Sequence, residues 1–446
     1  MSRTPIRDFV RAYARSGEAR LHMPGHKGVG PLGFEALDIT EIDGADNLYA
    51  PEGIIARSEA LAGELFGAKT LYSTEGSSLA LRAMLFLAAS RAAARGRSPV
   101  VLAARNAHRT FLTAAALLDL RVRWLTPQPG ESYHACTVAP EALEAALTGG
   151  ETPCAVYVTS PDYLGHVADV AALSSVCHRH GVPLLVDNAH GAYLKFLRPS
   201  RHPIDLGADL CCDSAHKTLP VLTGGAYLHV APGDGFGFAE RAREALALFG
   251  STSPSYLILQ SLDAANAALP DWPEALSALA GRVDALRERL TSRGWTLCGD
   301  EPLKLTLRAR PAGYTGDELG EALAEHGVRC EFHDADYAVL MLSPMNPPED
   351  LDRVEAALSA LPLRPALEAS PPPFSLPKAV LTPRQALFSP REALPLSRCA
   401  DRVMAGLTAS CPPAVPIVMC GEVIDEPAIE RLAYYGVKSC LVVKEG

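Results

Sequence analysis

The chain has 446 residues, of which 48% are hydrophobic and 21% are charged, so it carries enough apolar material for a large folded core. At roughly 100–200 residues per domain, a chain of this length is expected to form two to four domains. Its net charge of -10 excludes a protein whose main task is to grip the nucleic-acid backbone through a basic face.

The cysteines and the N-terminus indicate the cellular compartment in which the protein is expected. The 11 cysteines are scattered without a C-x-x-C pair, which argues against a disulfide framework or a zinc module. The N-terminus has no apolar core of a secretory signal, and no run of about 18 apolar residues is present to span a bilayer. We expect a cytoplasmic protein that binds neither membranes nor nucleic acid.

Between residues 100 and 230, short apolar runs alternate with helix-like stretches such as 170–180. The runs are VVLAA (100–104), CAVYVT (154–159), LLV (184–186), DLCCD (209–213) and AYLHV (226–230). Continuous apolar runs predict strands that are buried on both faces, in a parallel or mostly parallel sheet covered by helices. Polar clusters follow these runs, at the sheet edge where α/β proteins bind their ligands.

After residue 270 the pattern changes to that of a smaller α+β domain. It predicts a long amphipathic helix at 273–294, a helix near 317–326, and strands at 303–307 and 337–342. A proline-rich stretch at 364–377 is expected to be a linker. Beyond it we predict a helix at 395–408 and short strands at 416–419 and 440–443.

Asp187 and Lys217 each follow a buried-type strand and suggest one kind of chemistry. Burying an ammonium group is costly, so a lysine at this place is an unusual structural choice. It is understandable if the amine forms a Schiff base with an aldehyde coenzyme, as in pyridoxal phosphate enzymes. Those enzymes also need a carboxylate at the pyridine nitrogen, and Asp187 is the natural candidate.

A phosphate site for that coenzyme is predicted at the start of a strong helical pattern. Gly76, Ser77 and Ser78 precede LALRAMLFLAA, so backbone N–H groups and small hydroxyls would meet at a helix N-terminus. Ser214 and His216 would close this phosphate site from the other side. His108, which follows the first strand of the series, would stack on the coenzyme ring.

Each of these signals also has an ordinary structural explanation. A lone lysine is usually solvated, an aspartate that ends a strand is usually a turn or a cap, and serines before a helix are usually capping residues. Their shared position at strand and helix ends favours the coenzyme interpretation. His22 and His26 are separated by Pro24 and Gly25, so no helical metal pair is expected and we predict no metal site.

With these residues in view, the chain resembles the bacterial ornithine/lysine/arginine decarboxylases that use pyridoxal phosphate, in a short form without an N-terminal receiver-like domain. The matching stretches are LHMPGHKG (21–28), LDITEIDGADNLYAPEG (37–53), SAHKTLPVLTGGAYLH (214–229), STSPSYLILQSLDAA (251–265) and PPAVPIVMCGEVI (412–424). The first four together are highly specific, and the matches run nearly end to end.

The resemblance implies an aspartate-aminotransferase type α/β fold, known as PLP fold type I. Its large domain has a mostly parallel, seven-stranded sheet with helices on both faces, beside a smaller α+β domain and a small C-terminal domain. We therefore divide the chain into 1–50 (interface and active-site loops), 51–269 (coenzyme-binding domain), 270–363 (small domain), 364–377 (linker) and 378–446 (C-terminal domain). The resemblance also implies a homodimer or a larger homo-oligomer with active sites at the subunit interface.

By the same resemblance, Lys217 would be the Schiff-base lysine and Asp187 the partner of the pyridine nitrogen. His108 would stack on the ring and His190 would lie beside the coenzyme. The residues that would hold its phosphate are Gly76, Ser77, Ser78, Ser214 and His216. After loss of the substrate carboxylate, His216 or Lys217 would return a proton to Cα.

The chain departs from the family pattern at a few positions. Asn188 stands where the family usually has glutamate in D-E-A-H-G, Ala414 stands in the usual P-P-G-I-P, and Cys420 replaces the proline of P-G-E. A glutamate common in the C-terminal region corresponds to Gly406. These departures concern substrate choice and efficiency, since the coenzyme-binding residues are all present.

The resulting hypothesis is α-decarboxylation of lysine, arginine or ornithine to an amine and CO₂. The far end of such a substrate needs acidic partners, and the candidates are Asp43, Asp46, Glu331, Asp334 and Glu422. An aminotransferase or another lyase of the same fold is the first alternative, because fold alone does not fix the reaction. A homologue that binds the coenzyme without turnover is the second.

Overall fold

We describe a computed structural model of the chain, over residues 2–127, 131, 134–407 and 417–445. The described chain divides into two compact units. The first comprises the residues up to Arg91 together with Val170–Glu274, and the second comprises Ala92–Asp169 and the chain from Ala275 onward. The five-part domain division stays a prediction.

The helices and strands are numbered in chain order. The α-helices of the described ranges are α1 (Pro5–Arg15), α2 (Ile54–Phe66), α3 (Gly76–Ala93), α4 (Arg109–Leu117), α5 (Pro140–Thr148), α6 (Val170–Arg179), α7 (Ala215–Thr218), α8 (Ala242–Phe249), α9 (Tyr256–Ala268), α10 (Trp272–Ser292), α11 (Gly316–Glu325), α12 (Pro348–Ala360), α13 (Pro383–Phe388) and α14 (Glu426–Tyr434). The strands are β1 (Lys69–Ser73), β2 (Val100–Ala104), β3 (Arg121–Leu125), β4 (Ala155–Thr159), β5 (Leu184–Asp187), β6 (Leu210–Asp213), β7 (Ala226–Val230), β8 (Thr296–Cys298), β9 (Lys304–Arg308), β10 (Phe332–His333), β11 (Tyr337–Met341), β12 (Arg391–Pro395) and β13 (Ser439–Val443).

The first unit contains the strands β1, β7, β6 and β5, in that spatial order. β5 and β6 are parallel, whereas β7 runs antiparallel to both β6 and β1. Every residue of β5, β6 and β7 is buried. This is the burial that continuous apolar runs predict, because a strand covered on both faces has no polar side.

In the second unit, β2 lies between β3 and β4 and is parallel to both. The strands β1 to β7 make up the larger, seven-stranded sheet, so the predicted mostly parallel α/β fold is confirmed. The second unit also holds an antiparallel sheet in the order β10-β11-β9-β8 and the antiparallel pair β12-β13. The elements of the predicted α+β region are present as α10, β9, α11 and β11.

Two predictions for the C-terminal region are wrong. Within 395–407, the described part of the predicted helix, the chain instead makes a short 3-10 turn at Leu396–Arg398 and then an extended segment. Asp401 has a left-handed backbone (φ 60), and Met404 N donates to Glu422 O at 2.8 Å, so pairing with another segment replaces helical bonds. Ile417 and Val418 lie in a bend where a strand was expected, while β13 confirms the last strand.

The linker prediction for 364–377 agrees with a segment that contains neither helix nor strand. Beyond it, the C-terminal region has its own hydrophobic cluster, whose buried members are Leu394, Cys399, Met404, Ile417, Val418, Ile424, Ala428, Leu432, Cys440 and Val442. Among the described residues, none of the helices combines the length and the apolar character needed to cross a membrane.

A buried ion pair joins two distant stretches of the second unit. Arg105, which follows β2, donates from Nη1 to Glu422 Oε1 at 2.5 Å and from Nη2 to Glu422 Oε2 at 2.7 Å. The two side chains are only 1% and 2% exposed. Glu422 Oε2 also accepts from Met419 N at 2.8 Å. A carboxylate with these partners is a structural group, because burial of either charge alone would be costly.

We therefore expect Glu422→Ala to destabilise the protein by about 3–5 kcal/mol, because it leaves the Arg105 guanidinium buried without its anion. The matched control is Glu151→Ala, which removes an exposed pair with Arg121 and should cost less than about 1 kcal/mol. The shift of the urea unfolding midpoint measures both. Equal shifts for the two variants would contradict the structural role of Glu422.

Candidate active site

Two neighbouring parallel strands carry the central residues of the candidate site. β5 ends at Asp187, which lies opposite Cys212 of β6 in the sheet register. β6 ends at Asp213 and leads directly into Ser214 and the short helix α7, which contains His216 and Lys217. Parallel pairing therefore brings the Asp187 position and the Lys217 segment to the same edge of the sheet, as the sequence predicted.

Asp187 is only 3% exposed and keeps its carboxylate bonded within the unit. Its Oδ1 accepts from the backbone N–H of Ala189 at 3.2 Å and from the Cys212 thiol at 3.6 Å. A buried carboxylate needs such donors, since its desolvation is otherwise costly. It is a buried acidic group at the place where the sequence predicted the partner of a pyridine nitrogen.

Lys217 differs from the expectation in one respect. Its side chain is exposed in this chain, so the Lys217 ammonium group does not carry the cost of burial that the sequence suggested. The exposure follows from its position on α7, a single helical turn beyond the sheet edge. The Lys217 Nζ lies 2.8 Å from His190 Nε2, so the amine meets the histidine predicted to lie beside the coenzyme.

Residues predicted to hold the phosphate meet at the N-terminus of α3. Ser214 Oγ donates to Ser77 Oγ at 2.8 Å, although the two residues are far apart in sequence. Gly76 has a left-handed backbone (φ 71), and a Cβ added there would meet nothing within 4 Å, so space remains beside the first turn. Ser78 belongs to the same turn, where backbone N–H groups attract anions.

His216 is half-buried on α7, with its Nδ1 3.0 Å from the carbonyl oxygen of Gly225. That carbonyl can only accept, so Nδ1 carries the proton and Nε2 carries the lone pair. Burial lowers the pKa of His216, the bond to Gly225 opposes this, and the nearby charge of Lys217 lowers it further. The neutral ring is therefore favoured.

His108 lies in the second unit, where it precedes α4. Its Nδ1 accepts from the backbone N–H of Thr110 at 3.2 Å and lies 3.0 Å from the Thr110 hydroxyl. The histidine therefore caps α4, an ordinary structural role. That His108 stacks on the coenzyme ring stays a prediction.

Three of the four departures from the family pattern, Asn188, Gly406 and Cys420, lie in the described chain. Asn188 Nδ2 donates to Asp213 Oδ1 at 2.7 Å, in a buried network that the sequence analysis missed. The signal for it was an aspartate that ends the buried run DLCCD, since such a carboxylate must find donors. Gly406 N donates to Leu441 O at 3.0 Å, and Ala414 lies outside the described residues.

Four of the five acidic candidates have a bonding partner within the chain, and Asp46, Glu422 and Asp334 are the three that are not exposed. Asp46 accepts from the backbone N–H groups of Gly53 and Ile55 at the start of α2, and these bonds lower its pKa although burial opposes them. Glu422 pairs with Arg105, and Asp334 Oδ2 lies 2.9 Å from His134 Nε2. Glu331 accepts from the Tyr163 hydroxyl at 3.1 Å but is exposed, as is Asp43.

The residues of the first unit fit pyridoxal phosphate as a donor set. Two serine hydroxyls at a helix N-terminus suit its phosphate, the amine of Lys217 suits its aldehyde, and the Asp187 carboxylate suits its ring nitrogen.

Comparison with known proteins agrees with this donor set. Residues 4–279 match the family described as Orn/Lys/Arg decarboxylase, major domain. The chain belongs to this family. The prediction that it is an amino-acid decarboxylase of the pyridoxal phosphate-dependent class is thereby confirmed.

Individual relatives span nearly the whole chain. The uncharacterized protein YaaO of Bacillus subtilis (strain 168) is 29% identical over 96% of this chain and 94% of its own length. An arginine decarboxylase of the same organism is 28% identical over 97% of this chain and 92% of its own length. The structure of the constitutive lysine decarboxylase of E. coli superposes with a TM-score of 0.77 at 17% identity, over 99% of this chain and 82% of that chain. The superposition on the E. coli structure supports the fold assignment.

If Lys217 carries the coenzyme, borohydride reduction of the protein incubated with pyridoxal phosphate should label this residue covalently. Mass spectrometry of a digest should find the label on Lys217 and lose it in Lys217→Ala. The matched control is Lys195→Ala, which removes a lysine that pairs with Asp205 in the same unit and should keep the label. A label that persists in Lys217→Ala would contradict the assignment.

Proposed function

We propose that this decarboxylase removes the α-carboxylate of a basic amino acid, with pyridoxal phosphate attached to Lys217. The observation that carries the proposal is the edge formed by β5 and β6, where Asp187 and the Lys217 segment come together. The family match over 4–279 supports the reaction class.

When bound, the coenzyme supplies an electron sink that accepts the electron pair of the broken Cα–carboxylate bond. The chain's residues hold and tune it. Asp187 keeps a proton on the ring nitrogen, while Ser77, Ser78 and Ser214 bind the phosphate at the start of α3. His190 Nε2 lies 2.8 Å from the Lys217 amine and would orient it for attachment of the coenzyme aldehyde.

His216 is proposed to move the proton that replaces the carboxylate. Its Nδ1–H is engaged with Gly225 O, so Nε2 is the atom that takes up and delivers a proton. Because burial lowers its pKa, the resting ring is neutral, so Nε2 must first take up a proton and then holds it only weakly before passing it on. The bond to Gly225 also fixes the ring plane, which places Nε2 without further loss of freedom.

The substrate class follows from the family and from the acidic side chains that remain exposed. Asp43 and Glu331 have exposed carboxylates, whereas Asp46, Asp334 and Glu422 are committed to internal contacts. We therefore propose Asp43 and Glu331 as the acidic candidates for the far end of a lysine, arginine or ornithine substrate. The arginine decarboxylase relatives make arginine the first substrate to test.

A substrate panel tests the proposal. Purified protein with pyridoxal phosphate should release CO₂ and the matching amine from at least one of arginine, lysine and ornithine. A keto acid formed with a second amino acid would instead indicate an aminotransferase. Visible absorbance of bound coenzyme without amine or CO₂ would indicate a homologue that binds the coenzyme without turnover.

We also propose a homodimer or a larger homo-oligomer. The segment 21–34, part of the predicted interface region, exposes several large apolar side chains, among them Leu21 (93%), Val29 (78%) and Leu32 (68%). Contiguous exposed apolar groups of this kind favour contact with a partner. The exposure of Lys217 in this chain agrees with a site completed by a second copy.

Light scattering after size-exclusion chromatography should therefore give at least twice the chain mass of 47.3 kDa. Introducing charge with Val29→Lys and Leu32→Lys should shift the protein towards the monomer, because a buried ammonium opposes association. The control is Met345→Lys, which charges an exposed apolar residue outside the segment and should leave the mass unchanged. A monomeric wild-type protein would overturn the proposal.

A further inference from the structure

A buried carboxylate lies directly behind the candidate site. Asp213 ends β6, one residue before Ser214, and its side chain is fully buried. Its Oδ2 is 3.0 Å from His202 Nε2 and 3.1 Å from His229 Nε2. Neither histidine was singled out by the sequence, and neither has a role in the proposed reaction.

The hydrogen bonds fix which nitrogens of these histidines carry protons. His202 Nδ1 accepts from the backbone N–H of Ile204 at 3.4 Å, and His229 Nδ1 lies 2.9 Å from the Thr70 hydroxyl. Asp213 Oδ2 is a carboxylate oxygen that can only accept, so Nε2 carries a proton in each ring and donates to it. Burial raises the pKa of Asp213, but the two histidines outweigh it and hold that pKa well below its usual range.

Asn188 connects this buried anion to the candidate site. Its Nδ2 donates to Asp213 Oδ1 at 2.7 Å, and its backbone N–H donates to Cys212 O at 3.0 Å. Asn188 directly follows Asp187, so both of these bonds hold the peptide that carries the Asp187 carboxylate. A carboxylate at position 188 would instead face Asp213 as a like charge in a buried place.

We propose that Asn188 and Asp213 form a positioning pair that fixes the Asp187 carboxylate against the coenzyme ring, with His202 and His229 holding Asp213 in place. The inference rests on the proposed coenzyme site and adds positioning residues to it. The neutral amide at 188 is the donor that a carboxylate at 213 requires. These two residues are therefore matched to each other.

A metal site is the competing explanation for this cluster. Ligand atoms of His202, Cys211 and Asp213 lie within 4.8 Å of one another. The histidines, however, direct their Nε2–H groups at the carboxylate, which is a hydrogen-bonding arrangement. Burial raises the pKa of the Cys211 thiol, and the neighbouring Asp213 raises it further, so the thiolate that a metal needs is disfavoured.

A double-mutant cycle tests the pair. Asn188→Asp sets two carboxylates against each other and should weaken the binding of pyridoxal phosphate by about tenfold or more. Asp213→Asn should have a smaller effect, because rotation of the Asn188 amide lets its Oδ1 accept from the new amide. The double variant N188D/D213N restores one donor and one acceptor, and should recover affinity to within about threefold of the wild type.

The readouts separate positioning from a merely structural role. They are the coenzyme dissociation constant, the pH at which the visible band of the lysine-bound coenzyme changes, and the unfolding midpoint of the coenzyme-free protein. Phe66→Leu is the control. The centroid of the Phe66 ring lies 5.5 Å from that of His202 and 4.5 Å from that of His229, but Phe66 makes no hydrogen bond to Asp213. It should lower the unfolding midpoint and leave the other two quantities unchanged.

Three results would overturn the inference. In the first, Asn188→Asp binds the coenzyme with wild-type affinity and the visible band of the bound coenzyme is unchanged. In the second, the double variant binds the coenzyme no better than Asn188→Asp does. Purified protein could also contain one equivalent of a metal ion that chelation removes. A wild-type protein that binds no coenzyme would contradict the proposed function itself, whereas a coenzyme-binding protein with unaltered variants contradicts only the pair.

Discussion

The parallel pairing of β5 with β6 is the constraint on which the candidate site depends. Because the two strands run in the same direction, their carboxyl ends meet at one edge and the residues that follow them are neighbours. Asp187 ends one strand, and the other leads within four residues to Lys217. Shifting this register by one residue would turn one strand's side chains to the opposite face relative to the other strand and separate these groups.

Buried carboxylates recur in this protein, and each is stabilised by its own set of donors. Glu422 is held by the Arg105 guanidinium, Asp213 by two histidines and Asn188, and Asp187 by a backbone N–H and a thiol. These donors differ in charge. A guanidinium carries a positive charge that neutralises its partner, whereas a thiol and an amide N–H are weaker, neutral donors. The Ala189 N–H and the Cys212 thiol are neutral donors, which suits the proposed role of Asp187 opposite a protonated ring nitrogen.

Local sequence predicted the parts of the fold in which burial alone determines structure. Runs such as LLV and AYLHV are mostly apolar, with His229 as the polar exception, and they form β5 and β7. The helix expected at 395–408 failed because its apolar residues are buried through pairing with distant segments, as in the bond from Met404 N to Glu422 O. Such pairing depends on residues far away in sequence, and no local period reveals it. β3, with the mixed sequence RVRWL, was missed for a related reason.

The same distinction applies within the site. Asp187, Lys217 and Ser77 were predictable because each lies at the end of an element, whereas the links to His202 and His229 depend on tertiary contacts that sequence spacing does not encode. The exposure of Lys217 was also unpredicted, and it has a consequence. An exposed amine is open to bulk water, and a coenzyme held there would react best where water is excluded. The proposed second subunit would cover Lys217 and exclude water there, and the exposed apolar side chains between Leu21 and Phe34 offer a surface for that contact.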